Sequence, residues 1–180
     1  MRRVRYGVAM SLDGYIAGPN GEADWILMDP EIDFGAIFSQ YDTLLMGRGT
    51  FRTSEGGGGG GAFGGITSVV VSRTLRAEDH PGLTIISDDV PRRVQEMKAQ
   101  PGKDIWLFGG GQLFRSLLDE GLVDTVEVAI VPVLLGGGIP LLPSPAGRVA
   151  LTLTSHRVYT KTGTVSLTYD VGRRAKKRRA

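Results

Sequence analysis

Residues suited to chemistry gather in three short turns. Gly47-Arg48-Gly49-Thr50, Ser72-Arg73-Thr74 and Gly109-Gly110-Gly111 each follow a short apolar run of strand type. Each turn offers backbone N–H groups, hydroxyls or a guanidinium, and arginine meets phosphate through a rigid fork. After the triple glycine, Leu113, Leu117, Leu118 and Leu122 recur at helical spacing. The stretch Ile105 to Phe114 therefore reads strand, glycine turn, helix. Such a turn places bare N–H groups at the positive end of a helix dipole, and no side chain keeps a pyrophosphate from the backbone. A triple glycine alone is equally a tight connection with no ligand. Three anion-suited turns in one chain point instead to a dinucleotide with several phosphates.

Composition narrows the chemistry further. The chain has 180 residues, 41% hydrophobic and 22% charged, in the range of one globular domain with a real core. It has no cysteine, which excludes disulfides, thiolate metal sites and a cysteine nucleophile, and suits the cytoplasm. Two histidines, His80 and His156, are too few and too far apart for a metal cluster, so no metal is expected. The longest apolar run, Val128 to Leu135, is broken by Pro132 and falls short of the roughly 20 residues of a membrane span. The N-terminus shows no signal-peptide pattern.

The formal charge of +2 hides an asymmetry. Residues 173–179 carry six positive charges; the other 15 basic residues face 19 acidic ones, a body of −4. Nucleic-acid binding is therefore not expected of the body. Residues 173–180 read as a disordered basic tail behind a single domain at 1–172.

The elements that must position the three turns follow from periodicity. Val4, Tyr6, Val8 and Met10 alternate with Arg5, Gly7 and Ala9 as a first strand. Tyr15 to Ala17 extends again after the turn Ser11-Leu12-Asp13-Gly14. Pro30-Glu31 is expected to open a helix with Phe34, Phe38 and Tyr41 as its buried stripe. Thr43 to Met46, Ile66 to Ser72, Leu83 to Ser87 and Thr125 to Val131 read as strands, and Val90 to Ala99 as an amphipathic helix. Gly56 to Gly65 is a low-complexity loop without the ending of a P-loop. Val149 to Tyr159 and Thr164 to Val171 form a terminal hairpin. Strands alternating with helices predict an α/β fold: a mixed, mostly parallel sheet with helices on both faces and a C-terminal antiparallel hairpin. In such sheets ligands bind beyond the carboxyl ends of the strands.

The order of these motifs resembles the dihydrofolate reductase superfamily. It resembles most closely the branch that includes the C-terminal reductase domain of riboflavin biosynthesis and its small stand-alone relatives. The stretches that carry the resemblance are Val8 to Ala17, Leu45 to Phe51, Val70 to Leu75, Phe108 to Leu113 and Pro132 to Leu141, in family order. The resemblance implies a three-layer α/β/α fold of the dihydrofolate reductase type and NADPH as hydride donor. It assigns Ala9 and Ile16 to the nicotinamide, and Gly47, Arg48 and Thr50 to phosphate. Ser72, Arg73 and Thr74 fall near the adenosine ribose, and Gly109, Gly110, Gly111, Gln112 and Leu113 at the pyrophosphate. Arg48, Ser72 and Arg73 would favour a 2′-phosphate.

The resemblance also places Asp33 near the acid that binds the pterin and assists protonation in dihydrofolate reductases, a role in which it would be catalytic. The alternative is a first-turn acid that complements the helix dipole. Met10, Asp13 and Trp25 are candidates for the substrate side, with a turn role open for Asp13 and a packing role for Trp25. The expectation is a reductase of a small heterocyclic, pterin-like or sugar-derived substrate. Its alternatives are a 5-amino-6-(5-phosphoribosylamino)uracil reductase of riboflavin biosynthesis and a nucleotide-binding module without turnover. A homodimer is expected, both from the relatives and from the apolar run Thr125 to Val131 followed by the glycine-rich Leu134 to Leu142.

Overall fold

The computed structural model describes residues 1–56 and 65–172. In chain order its first half holds β1 (Val4–Ser11), β2 (Tyr15–Ala17), α1 (Phe34–Phe38), β3 (Tyr41–Gly47), α2 (Arg48–Gly56), β4 (Thr67–Val71) and β5 (Thr84–Ile86). There follow α3 (Val90–Ala99), β6 (Asp104–Gly109), α4 (Gly111–Asp119), β7 (Thr125–Val131), β8 (Ile139–Pro140), β9 (Leu151–Tyr159) and β10 (Thr164–Val171). A 3-10 turn lies at Ala77–Asp79.

Eight strands form one sheet in the order β5-β4-β3-β6-β1-β7-β10-β9. The first six run parallel, and β10 and β9 continue the sheet antiparallel. The expected mixed sheet and terminal hairpin are both present. Strand alternation explains how each face is filled. Val4, Tyr6, Leu45, Val69, Ile105, Leu107, Val126 and Val128 form a buried core with Val94 of α3 and Phe114 and Leu117 of α4. There the Tyr6 and Phe114 rings stack with centroids 3.9 Å apart. On the opposite face Leu44, Met46 and Val70 pack with Phe51 of α2, and Phe38 of α1 lies 5.5 Å from Trp106. Helices thus cover both faces.

The expected start of the first helix needs correction. Pro30-Glu31 does not open a helix. The Asp29 carboxylate accepts from the Glu31 N–H (2.9 Å) and the Asp29 carbonyl accepts from Ile32, which closes a turn instead. The helix α1 begins four residues later with Asp33 as its N-cap and fully buries none of its five residues, while Tyr41 belongs to β3. The apolar strand β7 lies inside the sheet between β1 and β10, with Val126, Val128 and Val131 buried. The segment after Pro132 contains β8, which pairs antiparallel with β2 in a two-stranded ribbon. The glycines at 57–64 and the basic tail at 173–180 lie outside the described residues. Among the described residues no helix is long and apolar enough to cross a membrane, and no group of His, Asp and Glu could hold a metal ion.

Buried charges at the amino ends of the strands are paired. Lys98 Nζ lies 2.5 Å from Asp124 and donates to the Leu122 carbonyl, and Arg2 pairs with Asp42. These pairs satisfy one another, so they hold the closed end of the sheet. The opposite end carries the turns with spare donors.

Candidate active site

Strands β4, β3, β6 and β1 are consecutive neighbours and end side by side at Val71, Gly47, Gly109 and Ser11. The three anion-suited turns therefore leave the sheet along one rim. Arg48 opens α2, and its Nη1 donates to Thr74 Oγ1 at 2.6 Å. Ser72 Oγ is buried and accepts from the N–H groups of Thr74 (3.2 Å) and Leu75 (3.0 Å), which shapes the loop and leaves Arg73 exposed. Gly47, Arg48, Thr50, Ser72, Arg73 and Thr74 are thus brought together.

The glycine turn faces Thr50 in the first turn of α2. A Cβ at Gly109 would lie 3.4 Å from Thr50 Oγ1, and one at Gly110 3.3 Å from it. Gly109 has φ +142, a conformation that side chains disfavour, and a cis peptide joins it to Gly110. Gly110 is the N-cap of α4 at φ −93, ψ −174 and supplies no side-chain acceptor. No acid occupies the first turn either. The N–H groups of Gly111, Gln112 and Leu113 precede the first intrahelical bond, Phe114 N–H to the Gly110 carbonyl, at the positive end of the helix. Gly111 is needed for a different reason, since a Cβ there would lie 2.6 Å from the Pro140 carbonyl oxygen. Gln112 is exposed, and Leu113 packs at the edge of the main core.

The other predicted residues lie at the same end but do not form a comparable cluster. Ala9 shares its sheet face with Gly7, whereas Met10 faces the side of Tyr6 and Val8. Ile16 lies on β2 in the ribbon with β8. Both carboxylate oxygens of Asp13 are engaged, with Ser11 Oγ at 2.6 Å, Leu135 N–H at 3.1 Å and Gly136 N–H at 2.7 Å. The Ser11 hydroxyl, then the Gly136 and Leu135 amides, hold its pKa below the ordinary carboxylate value. Asp13 therefore ties the β1–β2 turn to the loop before β8. Trp25 is half-buried, and its Nε1 donates to the Glu22 carbonyl. Asp33 is exposed. Its Oδ1 caps the Ala36 N–H at 2.8 Å, and Oδ2 makes no hydrogen bond among the described residues.

The model of the RibD C-terminal domain matches residues 2–165. The chain belongs to the RibD C-terminal domain family. A Bacillus subtilis relative, the uncharacterized protein YyaP, is 35% identical over 93% of this chain and 94% of its own. The crystal structure of a putative riboflavin biosynthesis protein from Shewanella superposes with a TM-score of 0.80 at 25% identity, over 96% of this chain and 100% of that one. A dihydrofolate reductase from Enterococcus faecalis complexed with NADP(H) shares the fold, with a TM-score of 0.64 at 18% identity over 94% of this chain and 96% of that one. The RibD-type sheet, its helical layers and its terminal hairpin are thus those of the dihydrofolate reductase fold.

One polar group at this end of the RibD C-terminal domain escaped the sequence reading. Asp29 is buried, and its Oδ2 accepts from Thr162 N–H (3.1 Å) and Thr162 Oγ1 (3.0 Å) in the β9–β10 turn. The local signal was the dipeptide Asp29-Pro30, a turn-initiating pair.

Proposed function

We propose that this protein is an NADPH-dependent reductase that passes hydride to a small heterocyclic, pterin-like or sugar-derived acceptor. The observation that carries the reading is the rim of donors: the open N-terminus of α4 facing Thr50, with Arg48, bonded through Nη1 to Thr74, beside it. A dinucleotide fits this donor set. The first-turn amides and Gly109–Gly110 suit the pyrophosphate, and Arg48, Ser72, Arg73 and Thr74 suit a phosphorylated ribose. Ala9 and Ile16 are assigned to the nicotinamide, which supplies hydride when bound. Asp33, with one oxygen free, orders a proton-delivering water at the acceptor. Family membership and the NADP(H) complex of the Enterococcus neighbour support the same reading. The name of the Shewanella neighbour favours a riboflavin-pathway pyrimidine as the second choice of acceptor. A chain without cysteine fits a cytoplasmic location.

A homodimer belongs to this proposal, with its contact at β9. All residues of this edge strand before Tyr159 are exposed, including Leu151, Leu153 and Val158. Its pairing with β10 puts Leu151, Leu153, His156 and Val158 on one face. Antiparallel pairing with a second copy can set Leu151 against Val158 and Leu153 against His156, same face to same face. That joins two bare edges about a two-fold axis.

The reading is tested by titrating NADPH and NADH by nicotinamide fluorescence. Loss of one charge-assisted phosphate contact costs about 1.5–3 kcal/mol, roughly 10- to 150-fold in affinity. Arg48→Ala and Arg73→Ala are expected to lose NADPH affinity on that scale and to leave NADH affinity near the wild-type value. Equal wild-type affinities for the two nucleotides would refute the preference for NADPH.

A further inference from the structure

We propose that Asp29 is a positioning residue for the acceptor side of the site: its buried carboxylate latches the 18–33 loop to the β9–β10 hairpin. The inference rests on the reductase reading for its consequence in turnover, while the latch itself can be measured without turnover.

Sheet register places the latch. Ile130, near the end of β7, pairs with Val165 of β10, so the turn at 160–163 sits at the same end of the sheet as the three cofactor turns. Gly163 lies close against Pro132, just past β7; a Cβ there would be 3.3 Å from its ring. The 18–33 loop leaves β2, touches α2 where Gly21 faces Thr53, and reaches the hairpin at Asp29 before it enters α1. The loop, which carries Trp25 and Asp33, thus runs from α2, the helix that Arg48 opens, to the hairpin turn at the carboxyl end of the sheet.

Apolar burial beside Asp29 does little to hold the loop down at that point. Leu27 and Met28, directly before Asp29, are 56% and 67% exposed. The ion pairs of the segment are exposed as well: Glu31 lies 3.7 Å from Arg157 and 3.8 Å from Lys161, and pairs of that kind hold weakly. Asp29, only 2% exposed, is different. It accepts from the Glu31 N–H through one oxygen and from the Thr162 N–H and hydroxyl through the other. The Thr162 hydroxyl in turn meets Thr164 Oγ1 at 3.0 Å. A buried carboxylate served by three directed donors admits few alternative geometries, so the path from Glu31 to Asp33 follows the hairpin. An asparagine keeps one acceptor and turns an N–H toward donors, which breaks one side of the latch.

The test uses the full chain with Asp29→Asn, Thr162→Val and Thr162→Ser. Amide exchange at Glu31, Ile32 and Thr162 should quicken roughly tenfold or more in the first two variants and stay at the wild-type rate in Thr162→Ser, which keeps the hydroxyl. NADPH affinity should remain within about twofold, because the cofactor turns do not touch the latch. Oxidation of NADPH is followed with 7,8-dihydrofolate and with menadione as acceptors. The acceptor KM should rise roughly tenfold in Asp29→Asn, with recovery in Thr162→Ser. Unchanged exchange in Asp29→Asn overturns the latch, and so does exchange that quickens across the whole sheet. Faster local exchange with an unchanged KM overturns the positioning role. A wild-type protein that binds no NADPH would refute the reductase reading, and the exchange result would still decide the latch.

Discussion

Adding a single methyl group at Gly110 separates the two meanings of the glycine turn. The structure predicts that Gly110→Ala is nearly silent in the fold. Its φ of −93 and ψ of −174 are open to any residue, and the new Cβ would meet only the hydroxyl end of Thr50, at 3.3 Å. A small shift of Thr50 relieves that contact, and the loss of glycine freedom in the unfolded chain returns about 0.4–1 kcal/mol. The net change in stability is therefore close to zero. The neighbours behave differently. Gly109→Ala places a side chain at φ +142, and Gly111→Ala sets a Cβ 2.6 Å from the Pro140 carbonyl oxygen, where backbone must move. Each should cost on the order of 1–3 kcal/mol of stability. For a ligand the ranking changes. A pyrophosphate held by first-turn amides must approach Gly110 closely, and loss of one charge-assisted bond costs about 1.5–3 kcal/mol. Gly110→Ala should weaken NADPH binding roughly 10- to 150-fold with an unchanged Tm, and Gly110→Val more strongly still. Nicotinamide fluorescence titration and thermal unfolding on one preparation give both numbers. A Gly110→Ala protein with wild-type Tm and wild-type affinity would reduce the turn to a strand-to-helix connection and remove the main support for cofactor binding.

Other perturbations reach other parts of the molecule. The Tyr6 hydroxyl is buried with no hydrogen-bond partner among the described residues, and burial raises its pKa. Tyr6→Phe should keep the ring stack on Phe114 and stabilise the fold by up to about 1 kcal/mol, read by urea unfolding; a loss of stability would show that the hydroxyl is satisfied. For Asp29, burial pushes the pKa up, and the amide and hydroxyl donors of Glu31 and Thr162, with Lys161 nearby, outweigh it, leaving a net value below the ordinary 3.8. A lowered folded-state pKa gives stability that is complete above the unfolded value and lost as pH falls through the folded one. Exchange at Glu31 and Thr162, corrected for the intrinsic rate, should therefore quicken only below pH 3.8 in the wild type and lack that step in Asp29→Asn. Leu153→Glu on the edge strand should halve the mass seen by light scattering; a wild-type monomer across the micromolar range would refute the β9 contact.

The rim formed by the three turns was legible because its chemistry is local. A glycine after a strand, an arginine at a helix start and a serine that folds back on its own turn each mark themselves within four residues, and Gly47–Thr50, Ser72–Thr74 and Gly109–Leu113 meet on one rim as their spacing implied. The strands were legible for the same reason. Alternation in β1 depends only on which face is buried, and the β-branched run in β4 on burial of both. Elsewhere a local pattern had two physical causes. The run in β7 looks the same whether its faces pack inside the fold or against a second subunit, and Val126 and Val128 are buried in the main core. Proline followed by an acid suits a helix start, but after Asp29 it suits an Asx-type turn equally well, and the carboxylate's bond to the Glu31 amide decides for the turn.

The places of Asp13 and Asp29 were obscure because their order is long-range. Asp13 is fixed by amides at 135 and 136, and Asp29 by a threonine 133 residues away. Nothing beside either aspartate in the chain announces its partner. The two-residue β8 exists only because Tyr15 and Ala17 lie across from it. This division has a chemical consequence. A dinucleotide is recognised largely through backbone amides and helix ends, which any sequence with the right turns can supply. An acceptor is recognised by side chains whose positions depend on loops pinned from afar. Substitutions at Asp29, Thr162 and Gly136 should therefore alter which acceptor is reduced and how well, while those at Arg48 and Gly110 alter whether any is.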